Sequence, residues 1–115
     1  MSFLSRLLGG SDDTTLAPAD YVAQGDPEAP LLDVRTPAEY AQGHLAGAVN
    51  VDVMAPDFRQ QISAMDLPKD GPVYLYCRSG NRSGTAAGIL RQMGHGGALN
   101  IGGFQALARA GAETA

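Results

Sequence analysis

The sequence predicts an α/β fold, a small parallel β-sheet flanked by helices on both faces. Three observations point to it. Short apolar runs alternate with segments of helical spacing, the pattern left by strands joined through helical crossovers. The run Pro72-Val73-Tyr74-Leu75-Tyr76-Cys77 is apolar at nearly every position, as a central parallel strand covered on both sides requires. The 115 residues, 44% hydrophobic and 17% charged, suit one compact core.

An early helix is expected from Pro18 to Gln24, followed by a strand from Leu31 to Arg35. Thr36-Pro37-Ala38-Glu39 opens a short helix, with Thr36 as N-cap, Pro37 in the first helical position and Glu39 closing a capping box; it stops by Gly43. A second strand covers Ala48 to Val53. The helix expected from Asp57 to Met65 carries Phe58, Ile62 and Met65 on one face. After the strand Pro72 to Cys77, a helix from Ser83 to Met93 presents Ala86, Ile89, Leu90 and Met93 as its buried stripe and Gly94 as its stop. A strand from Ala98 to Ile101 and a helix from Phe104 to Arg109 complete the chain. No repeat or second domain is visible.

Residues 1–14 read as a tail and 15–115 as one domain. Phe3, Leu4, Leu7 and Leu8 have helical spacing, but the segment is too short to span a bilayer. A membrane-surface helix would want more positive charge than Arg6 supplies. A tail that packs on the domain or frays is the reading adopted, in a cytoplasmic, monomeric protein. The net charge of -4 argues against nucleic-acid binding, which needs a surplus of clustered Lys and Arg. A single cysteine excludes an intramolecular disulfide and a self-contained dithiol redox centre.

Cys77 falls at the carboxyl end of the expected central strand, where open α/β sheets bind ligands. Arg78, Ser79, Gly80, Asn81, Arg82 and Ser83 then lead straight into a helix. Such a turn aims successive backbone N–H groups inward, and the helix N-terminus adds partial positive charge. Gly80 and Asn81 tolerate the backbone conformations that a curled loop needs, and Ser83 is placed to cap the helix. A cysteine facing this cradle, with Arg78 and Arg82 nearby, should ionise well below the free value of roughly 8.5. The thiolate attacks a sulfur–sulfur bond by direct displacement, without a general base. A buried, inert cysteine is the competing account, and the glycine-containing, doubly basic loop weighs against it. Arg78 and Arg82, on either side of Gly80, are candidates for holding a substrate anion.

The segments Asp33-Val34-Arg35-Thr36-Pro37-Ala38-Glu39-Tyr40-Ala41-Gln42-Gly43-His44-Leu45-Ala46-Gly47-Ala48-Val49-Asn50 and Tyr76-Cys77-Arg78-Ser79-Gly80-Asn81-Arg82-Ser83 resemble the two signatures of rhodanese homology domains. The likeness runs from about Thr15 onward and includes Gly102-Gly103 before the last helix. It implies the same small parallel sheet, with the cysteine at the start of a six-residue active loop. It also implies transfer of sulfane sulfur from thiosulfate or a persulfide donor to cyanide, a thiol or a partner protein. Cys77 matches the nucleophile, and Arg78 to Ser83 match the loop whose amides hold the persulfide. Asp33, Arg35 and His44 match supporting positions taken as mainly structural, and no cofactor or metal is implied.

Arg35 is expected to pair with Glu39 or to act as a buried hydrogen-bonded anchor. His44 reads as a hydrogen-bonded structural histidine, since the chain has only two histidines and no ligand-spaced pair. His95, after the helix stop, is expected to be exposed. Neither Ser83-Gly84-Thr85 nor Gly94-His95-Gly96-Gly97 fits a phosphate-binding loop. Two other functions compete. A cysteine-dependent phosphatase or arsenate reductase of related fold would place its arginine after five intervening residues, whereas four separate Cys77 from Arg82 and Ser83 stands at the arginine position. A non-enzymatic partner-binding module of the same fold often lacks the cysteine.

Overall fold

The computed structural model describes residues 14–115. The expected tail over residues 1–14 therefore lies, Thr14 apart, outside the described residues. Among the latter the elements run α1 (Pro18–Gln24), β1 (Leu31–Asp33), α2 (Pro37–Gln42), β2 (Val49–Asn50), α3 (Phe58–Ala64), β3 (Val73–Cys77), α4 (Asn81–Gln92), β4 (Ala98–Gly103) and α5 (Phe104–Ala110). The four strands pair in parallel in the order β2-β1-β3-β4. The expected β3 is thus interior, and each of its five residues is buried.

Alternation along the strands divides the core in two. Leu32, Val34, Val73, Leu75 and Cys77 pack with Phe58 and Ile62 of α3 and with Ala86, Ala87 and Leu90 of α4. On the opposite face Tyr74, Tyr76 and Ile101 pack with Tyr21 of α1, Tyr40 of α2 and Leu107 of α5. The helix α2 starts as expected: the Thr36 hydroxyl accepts from the Glu39 N–H, and the Glu39 carboxylate accepts from the Thr36 N–H.

Three local expectations are corrected. Strands β1 and β2 are shorter than their expected runs, because beyond Asn50 the chain keeps only spaced bonds from the Val51 and Val53 amides to β1 and its extension, whereas β4 continues past Ile101 to Gly103. The helix α4 begins at Asn81, and Ser83 does not cap it. Gly80, in the left-handed region at φ 99° and ψ -11°, reverses the chain early enough for Asn81 to be helical, which places Ser83 inside the first turn. His95 is not exposed. The turn after α4 folds onto the connection between α3 and β3, so His95 is 3% exposed with Nδ1 at 3.0 Å from the Pro68 carbonyl oxygen.

A buried polar network crosses the sheet beneath the second face. Arg35 donates to both oxygens of Asp33, from Nε and from Nη2, and Nη2 also donates to the Gly43 carbonyl. The Tyr76 hydroxyl donates to Asp33 Oδ2 at 2.7 Å and accepts from the Leu45 N–H at 2.9 Å. Strands β1 and β3 are thereby tied to the turn after α2. Tyr76→Phe leaves the Leu45 donor without this acceptor and Asp33 without one donor. It is expected to lower unfolding stability by about 1–3 kcal/mol, read as a shifted urea midpoint at unchanged slope.

Candidate active site

Cys77 is the last residue of β3, its side chain on the α4 side and fully buried. The loop from Arg78 to Gly80 curls over it. The Gly80 N–H donates to Sγ at 3.0 Å, and the Ser83 N–H and hydroxyl lie 3.4 Å from it. Burial pushes the thiol up, but hydrogen bonds from the Ser83 hydroxyl and from the amides of Ser83, Ser79 and Gly80 outweigh it, so the Cys77 pKa is lowered. Of the loop amides from Arg78 to Ser83, those of Gly80 and Ser83 are hydrogen-bonded to the sulfur.

Two glycines make the loop possible. Gly80 holds the positive φ that turns its own N–H toward the sulfur. At Gly103 a Cβ would stand 2.5 Å from the Arg78 carbonyl oxygen, so the end of β4 can pass beneath the loop only without a side chain. The register from Leu75↔Asn100 to Cys77↔Gly103 advances two residues on β3 and three on β4, an irregularity of the bulge kind that re-aims side chains beside functional sites.

The two arginines of the loop differ in their surroundings. Arg82 faces the carboxylate of Glu39, Nη1 to Oε1 at 2.8 Å and Nη2 to Oε2 at 3.0 Å. This pairing, with further bonds from Thr36, lowers the Glu39 pKa to about 2. Arg82 is thus held against α2. Arg78 is exposed and lines an open cleft of about 360 Å³ shared with Gln42, Phe104 and Gln105. Arg35 pairs with Asp33, not Glu39, and its guanidinium lies 4.7 Å over the Phe104 ring. His44 stacks on Tyr40 with centroids 3.7 Å apart, and its Nδ1 lies 2.8 Å from the Tyr40 carbonyl oxygen. Asp33, Arg35 and His44 bond to Tyr76, the Gly43 carbonyl and the Tyr40 carbonyl and make no hydrogen bond to the sulfur. Among the described residues no group of three or more His, Cys, Asp or Glu could hold a metal ion.

The family model for the rhodanese-like domain matches residues 19–110. The chain belongs to the rhodanese-like domain family. A sulfurtransferase of Allochromatium vinosum is 44% identical over 82 residues, covering 70% of this chain and 73% of the relative. The thiosulfate sulfurtransferase PspE of Escherichia coli is 35% identical over 77 residues, covering 67% and 72%. Among solved structures, a rhodanese with anions from E. coli superposes with a TM-score of 0.66 at 30% identity, covering 76% of this chain and 96% of that one. This rhodanese-like chain is an enzyme of the rhodanese-type sulfurtransferase class.

Two participants escaped the reading of the sequence. Glu39 was recognised as a capping residue, but its link to Arg82 spans 43 positions. Asn100 reads from the sequence as part of a strand, although a polar amide within Ala98-Leu99-Asn100-Ile101 is the kind of signal that marks a buried polar contact. Its Oδ1 accepts from the Ser83 hydroxyl at 2.7 Å and from the Gly102 N–H at 3.0 Å, while its Nδ2 donates to the Gly80 carbonyl at 3.0 Å.

Titrating the thiolate absorbance, with Cys77→Ser as the blank, should give a Cys77 midpoint below roughly 8.5, the ordinary thiol value. Gly80→Ala places a side chain in the left-handed region at a cost of about 1–2 kcal/mol. The loop is expected to relax, withdraw the Gly80 N–H and move the midpoint back toward the ordinary value.

Proposed function

We propose that the protein carries sulfane sulfur as a persulfide on Cys77, taking it from thiosulfate or a persulfide donor and passing it to cyanide, a thiol or a partner protein. The observation that carries this reading is the Cys77 sulfur at the end of β3, facing the N–H groups of Gly80 and Ser83 with its pKa lowered. The names of the relatives from A. vinosum and E. coli support the same chemistry.

In the loading step the Cys77 thiolate attacks the outer sulfur of thiosulfate. The S–S bond of the donor breaks, its electron pair leaves with sulfite, and the new S–S bond makes the persulfide anion. In the unloading step the acceptor's nucleophile attacks the outer sulfur. The Cys77 S–S bond then breaks, and its pair returns to Sγ as thiolate. No general base is needed in either direction, and the loop N–H groups are fixed donors for the sulfur that holds the charge. Cys77 is buried, so a donor must present a single sulfur atom to it while a sulfonate stays outside. Exposed Arg78 is suited to that sulfonate. Arg82, occupied by Glu39, braces the loop and contributes charge at longer range, since its own ionisation is coupled to Cys77.

Purified protein treated with thiosulfate should gain one sulfur atom on Cys77, removed by cyanide and visible by mass spectrometry. Cys77→Ser is expected to abolish both the adduct and thiosulfate:cyanide turnover while keeping the fold. Turnover retained in that variant would sink the assignment. Arg78→Ala should raise KM for thiosulfate by about tenfold, the loss of one charge-assisted bond. Aryl phosphate hydrolysis should be negligible, because the loop is one residue shorter than a tetrahedral oxyanion requires. Robust hydrolysis lost in Cys77→Ser is the outcome that would put a phosphatase in its place.

A further inference from the structure

Asn100 lies on β4 and lacks any direct bond to the sulfur, yet its three hydrogen bonds converge on the loop that holds it. Their polarity leaves one orientation for the amide. Nδ2 must face the Gly80 carbonyl and Oδ1 the Gly102 N–H, because the flipped amide would set oxygen against oxygen and N–H against N–H. With Oδ1 so fixed, the Ser83 hydroxyl at 2.7 Å can only be the donor.

That hydroxyl owns a single proton and has two acceptors within reach, Asn100 Oδ1 at 2.7 Å and Cys77 Sγ at 3.4 Å. The shorter contact is close to the ordinary O–H···O distance. In the thiol form the proton therefore belongs to Asn100, and the Ser83 oxygen turns a lone pair toward the sulfur. We propose that Asn100 is a positioning residue that sets the basicity of Cys77 by competing with its sulfur for the Ser83 proton. The proposal rests on Cys77 being the reacting sulfur.

Three states of the sulfur then see different surroundings. A thiol donates to Ser83, a thiolate shares the hydroxyl with Asn100, and a persulfide, whose inner sulfur is uncharged, leaves the hydroxyl on Asn100. Because the hydroxyl is withheld from the thiolate in part, the sulfur keeps more of its basicity than an uncontested donor would allow. Nucleophilicity toward sulfur rises with that basicity. The backbone amides of Gly80 and Ser83 have no such rival and supply the constant part of the field. The charge of Arg82 on α4 is favoured in part by Cys77, and Asp33 at the end of β1 and Arg35 just beyond it turn toward Tyr76 on the other face.

The test is a double-mutant cycle on the Cys77 titration midpoint, read by thiolate absorbance against a Cys77→Ser blank. With Asn100 present, Ser83→Ala should raise the midpoint only by the share of the hydroxyl bond that Asn100 leaves to the sulfur, well under one pH unit. In an Asn100→Ala background the hydroxyl has only the sulfur to serve, and the same Ser83→Ala change should raise the midpoint by about one pH unit, the worth of a hydrogen bond to a charged group. Equal shifts in the two backgrounds would overturn the proposal, since a residue that merely tethers the loop affects both alike. Should Asn100→Ala fail to fold, Asn100→Asp keeps the oxygen that competes for the proton and loses only the donor to Gly80. In that background Ser83→Ala should again shift the midpoint little, and a rise of a full unit would overturn the proposal. The titration needs no turnover. A midpoint coupled as described in a protein that moves no sulfur would refute the sulfurtransferase mechanism and leave the role of Asn100 standing.

Discussion

The reversal between β3 and α4 must take place within a few residues while the cysteine beneath it stays out of water. A sulfur at the end of a fully buried strand can bear negative charge only if donors replace the solvent it has lost. The chain meets this demand with backbone. Gly80, in the left-handed region, turns its N–H inward, and the first turn of α4 adds that of Ser83. Backbone donors at a helix start cost no side-chain entropy and cannot be deprotonated, which suits a buried sulfur that bears negative charge.

The rest of the fold holds that loop at a fixed height. From below, β4 runs close enough that Gly103 has no room for a side chain. Along one side the Glu39 carboxylate caps α2 and grips Arg82 at once, so the start of one helix and the start of another share an anchor. Behind the strand, Asp33, Arg35 and Tyr76 form a network in which the charged pair is buried and each partner is hydrogen-bonded. A pair of this kind is costly to break, because removing one member leaves an uncompensated buried charge. Its contribution is to fix where the turn Gly43-His44-Leu45 meets the sheet.

Charge placement sets the two arginines of the loop apart. Arg82 is neutralised in place by Glu39, so the basic character suggested by two arginines in six residues is not all offered to a ligand. The exposed Arg78 sits at the rim of the cleft. The sulfur thus draws its stabilisation mainly from dipoles, and the Arg78 guanidinium at the rim stays open to solvent.

Much of this was legible in the sequence, and for physical reasons. The apolar run of β3, the capping box at Thr36 and the glycine in the loop after Cys77 are local signals, because burial on both faces, the orphan donors of a helix start and a tight reversal each demand particular residues nearby in the chain. The parallel sheet, the helices on both faces and the position of Cys77 at a strand end follow from them. Local signals end where partners are distant. The helix start at Asn81 depended on the backbone conformation that Gly80 adopted, and the burial of His95 on a turn folding over Pro68. Whether Arg82 stayed free was decided by α2 and α4 coming side by side, which gives Glu39 to Arg82 while Arg35 pairs with Asp33. Asn100 belongs to the same class. Its amide acts on residues 17 and 20 positions away, and only the packing of β4 under the loop brings its oxygen within reach of the hydroxyl beside the sulfur.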